Sequence, residues 1–394
     1  MNCLHSTVQW LPFGEHWLHT QIVSLPRRVR PHIVCERRQN EALFPSPPIH
    51  SLRTDHPGRY YLERGMRRLG LVRALPFVAE TAVRIGADLL HSHFAAHAWA
   101  NGEAAREAGV PHVVSVYGSQ MDVLAATLPH WAKRFSDLAA SADLILCEGP
   151  DAVRRVVARG AAPERVAVHH LGVDLDRYRY QPRIRARGEP LRVLLAGSFV
   201  ERTGLPDALA ALGAIRRDVC LEITLIGDAL QTTESQAELA RIDEAIWAAG
   251  LEHRVRRLGA QSRERIHEES GRHHVFLAAA CQSRDGDSGA GLPHLLTELA
   301  ATGMPVITTQ LGDRPELFRH GQTGLLAPEG DVDTLAAHLL WTVRRPDAWR
   351  AMLDAARLLV EREYDMQRQG ERLAAHYASV WASEDTEVAW PEAA

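Results

Sequence analysis

Short apolar runs alternate with helix-patterned stretches along this 394-residue chain, and the series runs twice. In the first half HIVC, DLLHSHF, HVVSVYG, ADLILCEG and RVAVHHLGVD read as strands, with helical patterns over 59–84 and 98–108. Around 176–190 the pattern breaks into a polar, arginine-rich, proline-containing stretch that reads as a linker. A second series follows: LRVLLAGSF, a helix from Pro206, LEITLIGD, a helix over 234–249, RVRRLGA, HVFLAAA, a helix with Pro293 in its first turn, PVITT and GLLAP. Such alternation predicts parallel sheets covered by helices, and the length suffices for two cores. The expectation is an α/β chain of two facing, Rossmann-like domains, residues 1–180 and 181–365. Residues 366–394 would form a C-terminal helix returning to the first domain, with a frayed end. Ligands of such folds sit beyond the carboxyl ends of the strands, here in the cleft between the domains.

Composition narrows the function. A net charge of −4 gives no global basic character for nucleic acid. Cys3, Cys35, Cys147, Cys220 and Cys281 are scattered without C-x-x-C spacing, as expected of buried thiols in a reducing compartment. Residues 1–25 lack the pattern of a signal peptide, and no apolar run approaches the ~20 residues that span a bilayer. The expected location is cytoplasmic. In the first eighty residues eleven arginines stand against six acids, and around 60–77 they intersperse with Leu, Met and Tyr. That pattern fits either a solvated helix face or peripheral contact with an anionic membrane at its inner surface.

The densest chemistry lies in DGDSGAGLPHLLTELAATGMPVITTQLGDRPELFRHGQTGLLAPEGD, residues 285–331. A polar, glycine-rich loop enters a helix, Glu298 follows one turn in, and a strand and a second glycine turn complete it. Such a segment exposes backbone N–H groups and a helix N-terminus to an anion. It also offers a carboxylate to sugar hydroxyls.

The order of glycines, proline and glutamate in this segment resembles the donor-binding half of retaining GT-B glycosyltransferases of family 4. The resemblance extends over most of the chain. HSHFAAHAWANGEAAREAGVPHVVSVYGSQMDVL is similar to the family's acceptor-side block, with Tyr117-Gly118-Ser119 at its HGxD or YGxD turn and Asp122 two residues late. ADLILCEG through Gly172-Val173-Asp174 resembles the next block, and AGSFVERTGLPDALAAL the first turn of the donor domain. The resemblance implies a retaining transferase that moves a hexosyl group from a nucleotide-diphosphate sugar, UDP- foremost, to a hydroxyl. The acceptor would be a polysaccharide, a lipid-linked glycan or a small natural product. No cofactor and no metal are implied.

Carried over position by position, the resemblance assigns donor contacts to Gly197, Ser198, Arg202, Gly204, Gly259, Gly291, Leu292, Pro293 and Glu298, the last as ribose partner. His93, Tyr117 and Asp287 fall on the catalytic side, and Gly14, His97 and Gly118 on the acceptor side. Two departures stand out. The family's phosphate-contacting Arg and Lys fall on Ser198 and Thr203, and Lys133 is the only lysine among 45 basic residues. Arg202 is the nearest cation, either a bidentate phosphate partner or a solvated loop residue. The family's first glutamate falls on Ala290, so Asp287 or Asp285 either supplies that carboxylate or caps the following helix.

Other motifs leave their alternatives open. Leu258-Gly259-Ala260 reads as a nucleobase-contact turn or an ordinary strand end. Asp313 replaces the second glycine of the family's G-G-x-P-E turn. His91, His93 and His97 could in principle converge on zinc, yet no local carboxylate completes a set. Two further functions fit the departures: a catalytically impaired sugar-nucleotide-binding partner subunit, or a nucleotide-sugar 2-epimerase. No G-x-G-x-x-G follows a first strand, which argues against a nicotinamide dehydrogenase.

Overall fold

The computed structural model describes residues 1–12, 15–40, 44–118, 120–284, 286 and 293–381. The chain separates into two compact units, one formed by Met1–Gly172 with the chain from Met366 onward, the other by Val173–Asp365. The division falls at Gly172 and Val173, ahead of the expected residue 180.

The first unit is built on seven strands: β1 (Asn2–Trp10), β2 (Arg30–Arg38), β3 (Ile49–Ser51), β4 (Leu89–His93), β5 (His112–Val116), β6 (Leu144–Cys147) and β7 (Val166–Val168). All pair in parallel, in the order β3-β2-β1-β4-β5-β6-β7. β1 is absent from the sequence expectation, although it is the central strand where the order reverses. Its His5, Ser6 and Thr7 are buried, and they interrupt the apolar run that marks a buried strand. The single helix expected over 59–84 is two, Pro57–Arg68 and Pro76–Ile85. Gly70 at φ +71° reverses the chain, and Pro76 starts the second helix where its missing N–H costs nothing. The helix Met366–Trp381 places Leu373, Ala374 and Tyr377 against Cys3, Leu89, Val113 and Leu146 of the sheet.

The second unit has six parallel strands: β8 (Leu191–Ala196), β9 (Leu221–Ile226), β10 (Val255–Arg257), β11 (Val275–Ala278), β12 (Val306–Thr309) and β13 (Leu325–Ala327). Their order is β10-β9-β8-β11-β12-β13, the doubly wound order with a switch point between the first and fourth strands. Leu191, Val193 and Leu195 face one helical layer, and Leu194 faces the other. Period-2 alternation thus serves a sheet buried on both faces. The stretch at 176–190 carries no helix or strand, as expected of a linker, yet it is tied down. Gln181 N donates to Thr302 O (2.9 Å) and Arg183 N to Gly303 O (2.9 Å). Among the described residues no helix is long and apolar enough to cross a membrane.

Candidate functional site

In the second unit the carboxyl ends of β8, β9 and β10 are joined through glycines. Gly197 N donates to Ile226 O (3.0 Å), and Gly227 N to Gly259 O (2.9 Å). A Cβ at Gly227, which sits at φ +150°, would stand 2.0 Å from Gly197 O. Only glycine lets these backbones approach so closely. The sequence reading named Gly197 and Gly259 but missed Gly227, whose signal is the I-G-D turn closing LEITLIGD.

Beyond Gly197 the chain passes exposed Ser198, buried Phe199 and a single 3₁₀ turn, Glu201–Thr203, to Gly204. Gly204 lies at φ +61°, where an added Cβ would be 1.7 Å from the Ala279 carbonyl oxygen. The loop is thereby pressed against the end of β11, at the switch point, and the helix Leu205–Ile215 starts immediately after it. A glycine turn feeding a helix N-terminus is an anion-binding arrangement.

Thr203, where the resemblance would place the family's lysine, turns inward. Its hydroxyl donates to Val200 O (2.7 Å), and its methyl lies 3.3 Å from where a Gly197 Cβ would be. Arg202 is exposed, with its carbonyl accepting from Cys281 N (3.1 Å). Arg202, Arg241 and Arg284 line a cavity of about 410 Å³ beside this loop, with Glu201, Glu234 and Glu238.

Glu298, on the helix His294–Ala301, is 2 % exposed. One oxygen lies 2.6 Å from Arg263 Nε and the other 2.9 Å from His294 Nδ1, one turn earlier. These two contacts fix the orientation of the carboxylate. Burial first, then the Glu298 charge, push the Tyr178 phenol above its usual range.

Arg314, within the glycine turn that carries Asp313, was given no role by the sequence reading. It is 4 % exposed, one Nη donates to Leu311 O (3.0 Å), and its Nε makes no hydrogen bond among the described residues. Burial draws its pKa down to about 10, against the opposing pull of Cys281, Glu329 and Asp313. Pro293 caps the Glu298 helix. Asp285, Asp287, Ala290, Gly291 and Leu292 lie outside the described residues, as do Gly14 and Ser119.

In the first unit the end of β4 carries a buried imidazole network. His5 Nδ1 and His93 Nε2 are 3.0 Å apart, and His93 Nδ1 meets the Tyr117 hydroxyl at 2.8 Å. That hydroxyl donates to Gln21 (3.3 Å). His91 bonds Tyr377 (2.7 Å) and Ser115 (2.8 Å). Burial pushes the His5 pKa down to about 3 and those of His91 and His93 well below the usual value. The rings are therefore neutral near pH 7.

The histidines that cluster are His5, His91 and His93, not the His91, His93 and His97 weighed and set aside in the sequence. His97 instead bonds Ser6 (2.9 Å) and Asn101 (3.0 Å). Both ring nitrogens of all three clustered histidines already have partners, so a metal would have to displace the network. His93 is fully buried and bonds the half-buried Tyr117. Phe94, which follows, sits at φ +71°, strained backbone of the kind that collects at ligand sites. Gly118, at φ +56°, donates its N–H to Glu148 (2.7 Å). Asp122 pairs with Arg155 (2.6 Å) and Arg159, a structural use of the motif's late aspartate.

Two doubly wound units, each with its switch point at the carboxyl ends of its strands, define a glycosyltransferase of GT-B fold once the comparisons are added. Residues 15–177 match the family described as Glycosyltransferase Family 4, and residues 176–358 match Glycosyl transferases group 1. The chain belongs to this family of glycosyltransferases. It is similar to the amylovoran biosynthesis glycosyltransferase AmsK of Erwinia amylovora, 28 % identical over 332 residues, or 82 % of this chain and 77 % of that protein. The colanic acid biosynthesis glycosyltransferase WcaL of Salmonella typhimurium, whose assignment is itself provisional, is 27 % identical over 63 % of this chain and 59 % of its own length. Among solved structures, Anabaena HepE in complex with UDP-glucose superposes with a TM-score of 0.75 at 17 % identity, over 96 % of this chain and all of that one. Sucrose-phosphate synthase of Thermosynechococcus elongatus gives 0.73 at 16 %, over 98 % and 100 %.

Proposed function

We propose that this glycosyltransferase moves a hexosyl group from a UDP-sugar to a hydroxyl of a glycan acceptor, with retention at the anomeric carbon and without a metal. The observation that carries the reading is the turn from Gly197 to Gly204, which leads into the Leu205–Ile215 helix with Arg202 exposed on it. As the sugar–phosphate bond breaks, negative charge grows on the departing diphosphate and the anomeric centre becomes oxocarbenium-like. Amides already aimed at that charge stabilise it with little reorganisation. With Thr203 turned inward, the cation is Arg202, whose planar fork suits two phosphate oxygens. Glu298, held by Arg263 and His294, receives the ribose hydroxyls. HepE in complex with UDP-glucose and the polysaccharide-biosynthesis relatives support donor class and acceptor class respectively.

The test is calorimetry and turnover with UDP-, GDP- and dTDP-sugars, on wild type and Arg202→Ala. UDP should bind, and the variant should lose about tenfold or more in affinity, the worth of one charge-assisted contact. No nucleoside diphosphate bound at millimolar concentration would refute the proposal. Binding without turnover would select the impaired partner subunit, the reading favoured by the loss of lysine at Thr203. An epimerised free sugar nucleotide would select the 2-epimerase. A peripheral membrane position is supported by exposed Tyr61, Leu62, Leu69 and Leu71 beside the arginines of the Pro57–Arg68 helix. Failure to co-sediment with anionic vesicles at low salt would dismiss it.

A further inference from the structure

At the switch point of the first unit lies a cavity of about 610 Å³, within the range of ligand pockets. Val8 of β1, Arg37 of β2 and His97 after β4 place it at the carboxyl ends of those strands. Five arginines line it against one carboxylate, Glu36. Glu36 is already committed to Arg67 (2.7 Å) and Arg64 (3.7 Å). Arg37 and Arg134 are left over among the described residues, and Arg73 has only a long ion pair, 4.0 Å, with Glu103 outside the lining. Arg37 Nε is buried without a hydrogen-bond partner among the described residues. Among the described residues Arg73 Nε, at 4.0 Å from its ion-pair partner Glu103, likewise makes no hydrogen bond, and neither does the buried Trp99 indole N–H.

Two guanidinium groups share one ring. Arg134 lies over Trp99 at 4.3 Å and over Trp131 at 4.8 Å, while Arg73 lies over Trp99 at 4.9 Å. Like charges brought onto one aromatic ring repel, and buried donors without acceptors are costly. An anion in the cavity satisfies both. Indole surfaces beside that charge suit the apolar faces of a sugar ring.

Resting on the glycosyltransferase reading, we propose that this cavity is the acceptor subsite and that it selects an anionic saccharide. The sugar residue carries a carboxylate or a phosphate received by Arg37 and Arg73, with its ring against Trp99 and Trp131. A nucleotide is not its ligand, because the donor features lie in the other unit. The acceptor's acid group need not react; it fixes the position of the hydroxyl that does.

Calorimetry on the full chain tests the assignment, using methyl β-glucuronide, glucose 6-phosphate and methyl β-glucoside as probes and UDP as control. At least one anionic probe should bind at millimolar concentration, with the neutral glucoside about tenfold weaker or undetected. A stronger glucuronide identifies a carboxylate, and a stronger sugar phosphate identifies a phosphate. Arg37→Gln and Arg73→Gln should each lose about tenfold for that probe. Arg37→Lys should recover part of it, and UDP affinity should stay at the wild-type value throughout. The proposal is overturned if the glucoside binds as well as the anions, if no anionic probe binds, or if both glutamine variants bind as wild type does. Anionic binding in a chain that binds no sugar nucleotide would retire the transferase reading and leave the anion cavity standing. Donor turnover without anion preference would do the reverse.

Discussion

Lowering the pH should destabilise the first unit well before its carboxylates protonate. His5, His112 and His169 are all at least 95 % buried, and burial is the leading cause that lowers their pKa values, to about 3, 4 and 3. An imidazole in the unfolded chain titrates near 6.5. Between those values the unfolded state binds a proton at each ring and the native state does not, so stability rises with pH. It is complete above about pH 6.5 and is lost as pH falls from there toward about 4. Each ring costs about 1.4 kcal/mol on going from pH 7.5 to 5.5, so the three together cost roughly 4 kcal/mol. His91 and His93 are shifted the same way and add to the loss. Domains are stable by about 5–15 kcal/mol, so roughly 4 is a large share. Urea unfolding at pH 7.5, 6.5 and 5.5 measures the slope, and His5→Gln, which cannot be protonated, should flatten it by one ring's worth. A total change below about 1.4 kcal/mol, or an unaltered slope in the variant, would show that these rings titrate normally.

Gly204→Ala should cost at least about 2 kcal/mol from its left-handed backbone and the clash with Ala279 O, read as a lower Tm; an unchanged Tm would mean the loop does not press on β11. Gly370→Ala tests the docking of the Met366–Trp381 helix, because helix propensity alone predicts a gain of about 1 kcal/mol. Its Cβ would stand 1.9 Å from the Ser24 carbonyl oxygen, so a net loss of roughly 1–2 kcal/mol is expected, and a raised Tm would contradict the packing. Glu298→Gln removes one partner of a buried pair. The cost should be roughly 1–3 kcal/mol, below the 3–5 of a fully buried pair, because Arg263 keeps 21 % of its side chain exposed. Weaker UDP binding should accompany it, and calorimetry showing wild-type affinity would remove Glu298 from the donor site.

Strands were most legible where burial on both faces required continuous apolar runs, as in β6 and β11. β1 was not, although it is the strand from which the first sheet is ordered. Its polar residues are tolerable only because His5 meets His93 and Ser6 meets His97, partners 88 and 91 residues away. A window of the sequence around β1 contains neither. The linker's polarity was legible too, but not its backbone attachment at Thr302 and Gly303. Helical spacing carried across Gly70 and Pro76, whose punctuation was visible and was outweighed by the apolar periodicity of 59–84.

The turn from Gly197 to Gly204 was legible through its glycines, because close approach and positive φ leave few other residues. What those glycines approach was not: Gly227 is required by the Gly197 carbonyl and Gly204 by that of Ala279, each on another strand. The arginine cavity carries the same lesson further. The surplus of arginine in the first eighty residues was plain, and read along the chain it described the face of a helix. Arg37 comes from a strand, Arg73 from a loop and Arg134 from a helix more than sixty residues later, and the order β2-β1-β4 brings their elements to one end of one sheet. Glu36 neutralises its share, so the charge that matters is the remainder after pairing. That remainder is set by topology, and so the class of ligand can be argued only after the strand order is known.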